Sequence, residues 1–157
     1  MSDRVAVMND GLIAQVGSPE DLYDRPCDRF VASFIGESNF LTGAVLGQDG
    51  ELLVVDCGAA IVRAVVGNAL SHSGNVTITT RPERMHFADR VAESLRQNIM
   101  SATVMEAVFA GERCRYLCQC DGGVEVVIKE PSSSIIPRRA VGARVEIAWS
   151  IADTVVV

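Results

Sequence analysis

Apolar residues change their spacing between Asp28 and Leu41, and the change divides the chain. Phe30, Val31, Phe34 and Ile35 stand at i, i+1, i+4 and i+5, one stripe of a short helix, and Gly36 after them can take the left-handed conformation that closes a helix. From Phe40 onward apolar and polar positions alternate as in half-buried strands. Upstream, residues 4–8 and 12–17 flank Asn9-Asp10-Gly11 and read as a hairpin, Asp-Gly supplying the positive φ angles of a tight turn. Ser18-Pro19-Glu20-Asp21 is a helix start: Ser18 can cap, Pro19 suits the first helical position, and Asp21 favours the positive end of the dipole. Arg25-Pro26 ends that helix, because a residue before proline is pushed out of α geometry. A second helix runs from Asp28 to Ile35.

Beyond the divide the alternation predicts strands over 40–46, 51–56, 60–66 and 76–80, followed by the Arg81-Pro82-Glu83 interruption. Residues 88–97 read as a polar connection with a helical turn through Val91 and Leu95. Strands over 99–109, 113–120, 124–129, 144–149 and 154–157 complete the chain. Both halves run in the same order from an asparagine (Asn39, Asn98): long strand, strand, glycine turn, strand, loop, glycine, strand. Gly74-Asn75-Val76 answers Gly142-Ala143-Arg144, the pattern of an internal duplication. Short glycine-punctuated antiparallel strands that close on each other predict a mainly β fold, a small barrel of the oligonucleotide/oligosaccharide-binding type. The hairpin and two small helices before it are too few residues to bury a stable core alone, so this stretch reads as the tail of an α/β unit.

Composition narrows the function. Among 157 residues, 48% are hydrophobic and 22% charged, as in a soluble globular protein. A net charge of −6, with Lys129 the one lysine and aromatics at 5%, argues against a nucleic-acid-binding groove. No apolar run approaches the ~20 residues that span a bilayer, and no secretory signal opens the sequence, so a cytosolic chain is expected. The five cysteines lack paired zinc or redox spacing and read as free thiols.

The run from Met1 through Asn9-Asp10-Gly11, then Ile13, Gln15, Gly17, Pro19, Glu20, Tyr23, Pro26, Phe30, Val31, Phe34-Ile35-Gly36 and Asn39-Phe40, closely resembles the end of ABC importer ATPases. Within that superfamily it is most similar to the spermidine/putrescine and iron(III) importer ATPases. Arg81-Pro82-Glu83, a tripeptide that recurs in their regulatory domains, extends the likeness. The resemblance implies that residues 1–37 are the C-terminal remnant of a nucleotide-binding domain, just after its switch histidine. It implies that residues 38–157 are an OB-like regulatory barrel of the type called TOBE. It also implies a full-length ATPase that uses ATP and magnesium, membrane permease subunits, a second copy as homodimer partner, and a cytoplasmic location peripheral to the inner membrane.

No Gly-rich loop ending in Lys-Ser or Lys-Thr occurs in the sequence, so this chain itself is expected to hold no cofactor and to hydrolyse no ATP. No catalytic or metal residue is assigned. Arg81 and Glu83 flank a proline and are candidates for contact with a partner or a small ligand, against the plainer reading of a surface ion pair at a barrel corner. Trp149 is a third candidate, for core or interface packing. Arg138-Arg139 could hold an anion, but adjacent arginines on a solvated loop usually point apart. Cys114, Cys118 and Cys120 share one strand face and lack a companion at matched spacing in His72 or His86, so buried thiols are the expectation. Ser132-Ser133-Ser134 reads as a flexible connection. The functional expectation is a regulatory and dimerisation domain of an importer's ATP-binding subunit, with polyamine as substrate. The alternative is a barrel that senses a small ligand or an oxyanion, as related barrels in molybdate systems do.

Overall fold

A computed structural model describes residues 3–66, 74–90, 96–132 and 138–157. The chain opens with β1 (Val5–Asn9) and β2 (Leu12–Gly17), an antiparallel hairpin. Its turn residues Asp10 and Gly11 sit at φ 49° and 80°, the type I′ geometry that Asp-Gly favours. α1 (Pro19–Asp24) starts on a capping box in which Ser18 and Asp21 satisfy each other's backbone, and it stops before Pro26. α2 (Arg29–Ile35) is capped by Asp28, whose carboxylate accepts from Val31 N at 2.8 Å. These four elements enclose a small core of their own, Val7, Leu22 and Val31. Two expectations change here. Gly36 is extended at φ 176°, so the helix closes without a left-handed residue. The buried face of α2 is Val31 and Ala32, while Phe34 is 66% exposed.

The β region comprises β3 (Asn39–Asp49), β4 (Leu52–Asp56), β5 (Ile61–Val65), β6 (Asn75–Thr80), β7 (Met85–Phe87), β8 (Gln97–Ala110), β9 (Arg113–Cys120), β10 (Glu125–Pro131), β11 (Arg144–Ser150) and β12 (Val155–Val156). Short 3-10 turns at Pro82–Arg84, Ala88–Arg90 and Ile151–Asp153 join several of them. The fold is mainly β, as expected. Instead of one barrel it holds two five-stranded units, a closed barrel in the order β12-β5-β4-β3-β6 and a sheet in the order β10-β9-β8-β11-β7. One hydrophobic core runs through both, with Phe87, Tyr116 and Trp149 among its largest side chains.

The two units are copies. β3 to β6 answer β8 to β11, and each long first strand carries a bulge at the same distance from its asparagine, at Leu46 after Asn39 and at Met105 after Asn98. Ala44 pairs with Asn75 as Thr103 pairs with Arg144, so Gly74 corresponds to Ala143, one position from the match that sequence indicates. Each copy then lends its last strand to the other. β7 follows β6 but pairs with β11 of the second unit, while β12 follows β11 but pairs with β6 of the first. The strand expected to finish the second half therefore closes the first, and its contact with β5 is parallel.

Two asparagines lock the exchange. Asn39 Nδ2 donates to Val127 O at 2.7 Å and its Oδ1 accepts from Val127 N at 2.8 Å. Asn98 makes the same pair with Arg63, both bonds 2.8 Å. In each case a side-chain amide acts as one more rung on the other copy's third strand, at a position where no strand pairs with that edge among the described residues. Gly43 marks where β3 and β4 come too close for a side chain, since a Cβ there would lie 2.3 Å from Asp56 O.

Candidate functional site

The N-terminal unit meets the barrel at the end of β6. Pro82, buried, fixes the start of a 3-10 turn and leaves Arg81 extended just before it. Arg81 is not displayed on a corner. It is 6% exposed, and its guanidinium reaches into the C-terminal ends of both helices. Nη2 donates to Tyr23 O at 2.8 Å, and Nη1 donates to Ala32 O at 2.8 Å, to Gly36 O at 3.2 Å and to Ser38 Oγ. The last carbonyls of a helix have no intrahelical donor, and a cation there also suits the negative end of the dipole, so one arginine satisfies two helix ends. Its plane lies 4.1 Å from the Tyr23 ring centre. Burial pulls the Arg81 pKa below the usual arginine value, with Asp24 opposing. Glu83 does not pair with Arg81; it accepts a hydrogen bond from Tyr23 OH.

A second attachment lies at Glu37, between the two units. Its carboxylate bridges Lys129 at 2.5 Å and Arg115 at 3.1 Å on the outer face of the second sheet. Beside the first attachment is a cavity of about 730 Å³, bordered by Tyr23, Asp24, Glu51, Thr80, Arg84 and Asp153. Arg84 holds Asp153 at 2.8 Å and Asp24 at 3.5 Å across it. Thr80 Oγ1 is buried there and finds no hydrogen-bond partner among the described residues.

The remaining candidates fall elsewhere. Trp149 is a core residue, 1% exposed, whose Nε1 donates to Thr154 Oγ1 at 2.9 Å. Thr154 Oγ1 in turn donates to Ser150 O and accepts from Asn98, which ties the tryptophan to the crossing of the two copies. Arg138 and Arg139 point apart: the first lies 4.1 Å over Phe109, the second over Phe87 and against Asp89. Cys114, Cys118 and Cys120 alternate with exposed residues on β9 and face the core. Burial pushes the Cys118 thiol up to about 11 and the Cys120 thiol to about 12, so both stay protonated at neutral pH. His86 is half-buried on β7, opposite Ala148. His72, Val91, Leu95, Ser133 and Ser134 lie outside the described residues. Sequence reasoning missed Glu37, the Asp24–Arg84–Asp153 bridge and the reach of the two asparagines. The signal for the last was present in the repeated Asn at the start of each long strand.

The description of the TOBE domain matches residues 78–157. The chain belongs to the TOBE domain family. Relatives include the spermidine/putrescine import ATP-binding proteins PotA of Ruegeria pomeroyi, 36% identical over 95% of this chain, and of Thermobifida fusca, 38% identical over 85%. The chain spans 39% and 35% of the length of these relatives, corresponding to their C-terminal part. Among solved structures, the cytoplasmic molybdate-binding protein ModG shares the fold, with a TM-score of 0.60 at 14% identity, covering 75% of this chain and 94% of that one. No described helix is long and apolar enough to cross a membrane.

Proposed function

We propose that this chain is the regulatory end of the ATP-binding subunit of an importer of the spermidine/putrescine type. Residues 1–37 are the end of its nucleotide-binding domain and residues 38–157 its TOBE domain. The observation that carries this reading is the N-terminal unit. It has a core of its own yet presents Met8, Leu12, Ile13, Val16 and Phe34 outward, each at least 42% exposed. A hairpin and two helices with an apolar exterior need a further packing partner, and a nucleotide-binding domain is what the relatives' names supply. Arg81 and Glu83 then serve as the rigid link through which that domain and the barrel move together. ATP and magnesium act on the longer protein, at the cytoplasmic face of the inner membrane beside permease subunits, and two copies pair through their regulatory domains. The chain alone hydrolyses no ATP.

The test is a chimera in which this chain replaces the matching segment of the Ruegeria pomeroyi protein, assayed for ATP-dependent spermidine uptake. Uptake within a few-fold of the parent is expected, and Arg81→Ala in the chimera should depress it. A chimera that is folded and membrane-associated yet transports nothing overturns the reading.

A second reading, a barrel that senses a small ligand or an oxyanion, is favoured by the cavity beside Arg84. On this reading calorimetry shows heat with one of polyamines, molybdate and sulfate; silence with all three removes it.

A further inference from the structure

Counting outward from the two asparagine rungs shows which strand positions the copies share. Asn98 docks on Arg63 and Asn39 on Val127, so Val65 of β5 corresponds to Lys129 of β10. Across each hairpin Val65 faces Leu52, and Lys129 faces Arg115. The first copy closes its barrel with an apolar pair at this place, so folding does not require two cations there. Like charges directly opposite on antiparallel strands repel, and here Glu37 offsets the repulsion with a carboxylate placed between them. Arg115, Lys129 and Glu37 keep 39%, 28% and 38% of their side-chain surface exposed, so an outside group can reach all three. Arg113 stands two residues before Arg115 on the same face, about 7 Å along the strand, and forms no ion pair with any described residue. Arg113, Arg115 and Lys129, with Glu112 at the rim, border a shallow hollow of about 530 Å³.

We infer that this cationic face of β9 and β10 is a docking site for an extended acidic segment of a partner protein, which takes Lys129 and Arg115 by displacing Glu37. The occupant's chemistry is shown by what is seated there now: a carboxylate on an extended stretch of backbone, with Gly36 at φ 176° just before it. Alternate side chains of an extended peptide recur at the spacing of Arg113 and Arg115, so successive acids meet successive arginines. A compact polyphosphate would instead concentrate its charge beside Glu112. A chain of net charge −6 repels acidic partners over most of its surface, which leaves the place of docking to a local cluster. Displacement has a consequence, because Glu37 belongs to the link between the N-terminal unit and the β region. A bound partner frees that link while Arg81 still holds the helix ends. The inference does not rest on the importer reading.

The probe is a short fluorescein-labelled peptide of alternating glutamate and serine, titrated with the full chain at low salt and read by fluorescence anisotropy. Saturable binding is expected, and Glu37→Gln should tighten it about fivefold by removing the internal competitor. Arg113→Ser should weaken it about fivefold. That side chain has no ion-pair partner to lose, so the variant should melt at the parent's temperature. Lys129→Val with Arg115→Leu, which installs the first copy's pair, should keep the fold by circular dichroism and abolish binding. Saturating peptide should also speed hydrogen exchange at residues 36–38 and leave residues 19–35 unchanged. The inference is overturned if the peptide binds the parent no better than the Lys129→Val/Arg115→Leu variant, or if Glu37→Gln leaves the affinity unchanged or lowers it. It is also overturned if pyrophosphate competes at these residues with a lower Kd than the peptide, which makes the site one for small anions. The importer reading is decided separately, by uptake.

Discussion

Arg81 holds two helix ends by hydrogen bonds to backbone carbonyls; Ala32 O keeps a second donor in Ser38 Oγ at 3.1 Å, but loss of Arg81 strips Tyr23 O and Gly36 O of the guanidinium. Arg81→Ala is expected to cost about 3 kcal/mol and to speed hydrogen exchange over residues 5–36 far more than in the barrels. Arg81→Lys should rescue little, because an ammonium cannot span acceptors set apart for a planar fork. Glu37 gives a pH signature. The hydrogen bond from Lys129 lowers its pKa, partial burial opposes, and Arg115 lowers it further. A carboxyl whose folded pKa is depressed contributes stability above its unfolded pKa and loses it as pH falls through the folded value. Thermal melts on the acid side of the ordinary glutamate range should therefore fall more steeply for the parent than for Glu37→Gln, and the two should converge in acid; parallel curves would remove Glu37 as a latch. The importance of Arg-Pro-Glu was legible in the sequence, but not its direction. Arginine is exposed by default, and the partners that bury this one are main-chain carbonyls, which no residue letter encodes.

Between elements, Asn39 and Asn98 perform one task twice. Asn39→Ala and Asn98→Ala should each lower stability by roughly 1–2 kcal/mol, since each leaves one N–H and one carbonyl of a part-buried rung without its partner. Similar shifts in urea midpoint are expected from the pair; a large effect from one and none from the other would deny their equivalence. Long strands were legible, because alternation over β8, β9 and β10 leaves little choice of face. β7 was not: Met85-His86-Phe87 is too short to display a period, and its status as a strand comes from pairing with Trp149, Ala148 and Ile147. Phe34 misled for a related reason. A stripe of four apolar residues marks a helix face that wants cover, and the described residues cover only half of it.

At the scale of the molecule, the duplication could be glimpsed in the order of turns, while the exchange of last strands could not, because two valines carry no address. Deleting residues 154–157 should open the first barrel and also free Trp149 and Asn98 from Thr154, costing on the order of 4 kcal/mol. Residues 3–90 alone should fail to give a cooperative urea transition, and adding residues 96–157 should restore one; independent folding of either half would contradict the exchange. There is a further consequence for biosynthesis. As the polypeptide leaves the ribosome, β3 to β6 emerge early but cannot seal until β12, far along the sequence, has followed them out. The first barrel must wait with an open flank throughout translation of the second, a delay set by topology that exposes the nascent chain to chaperones.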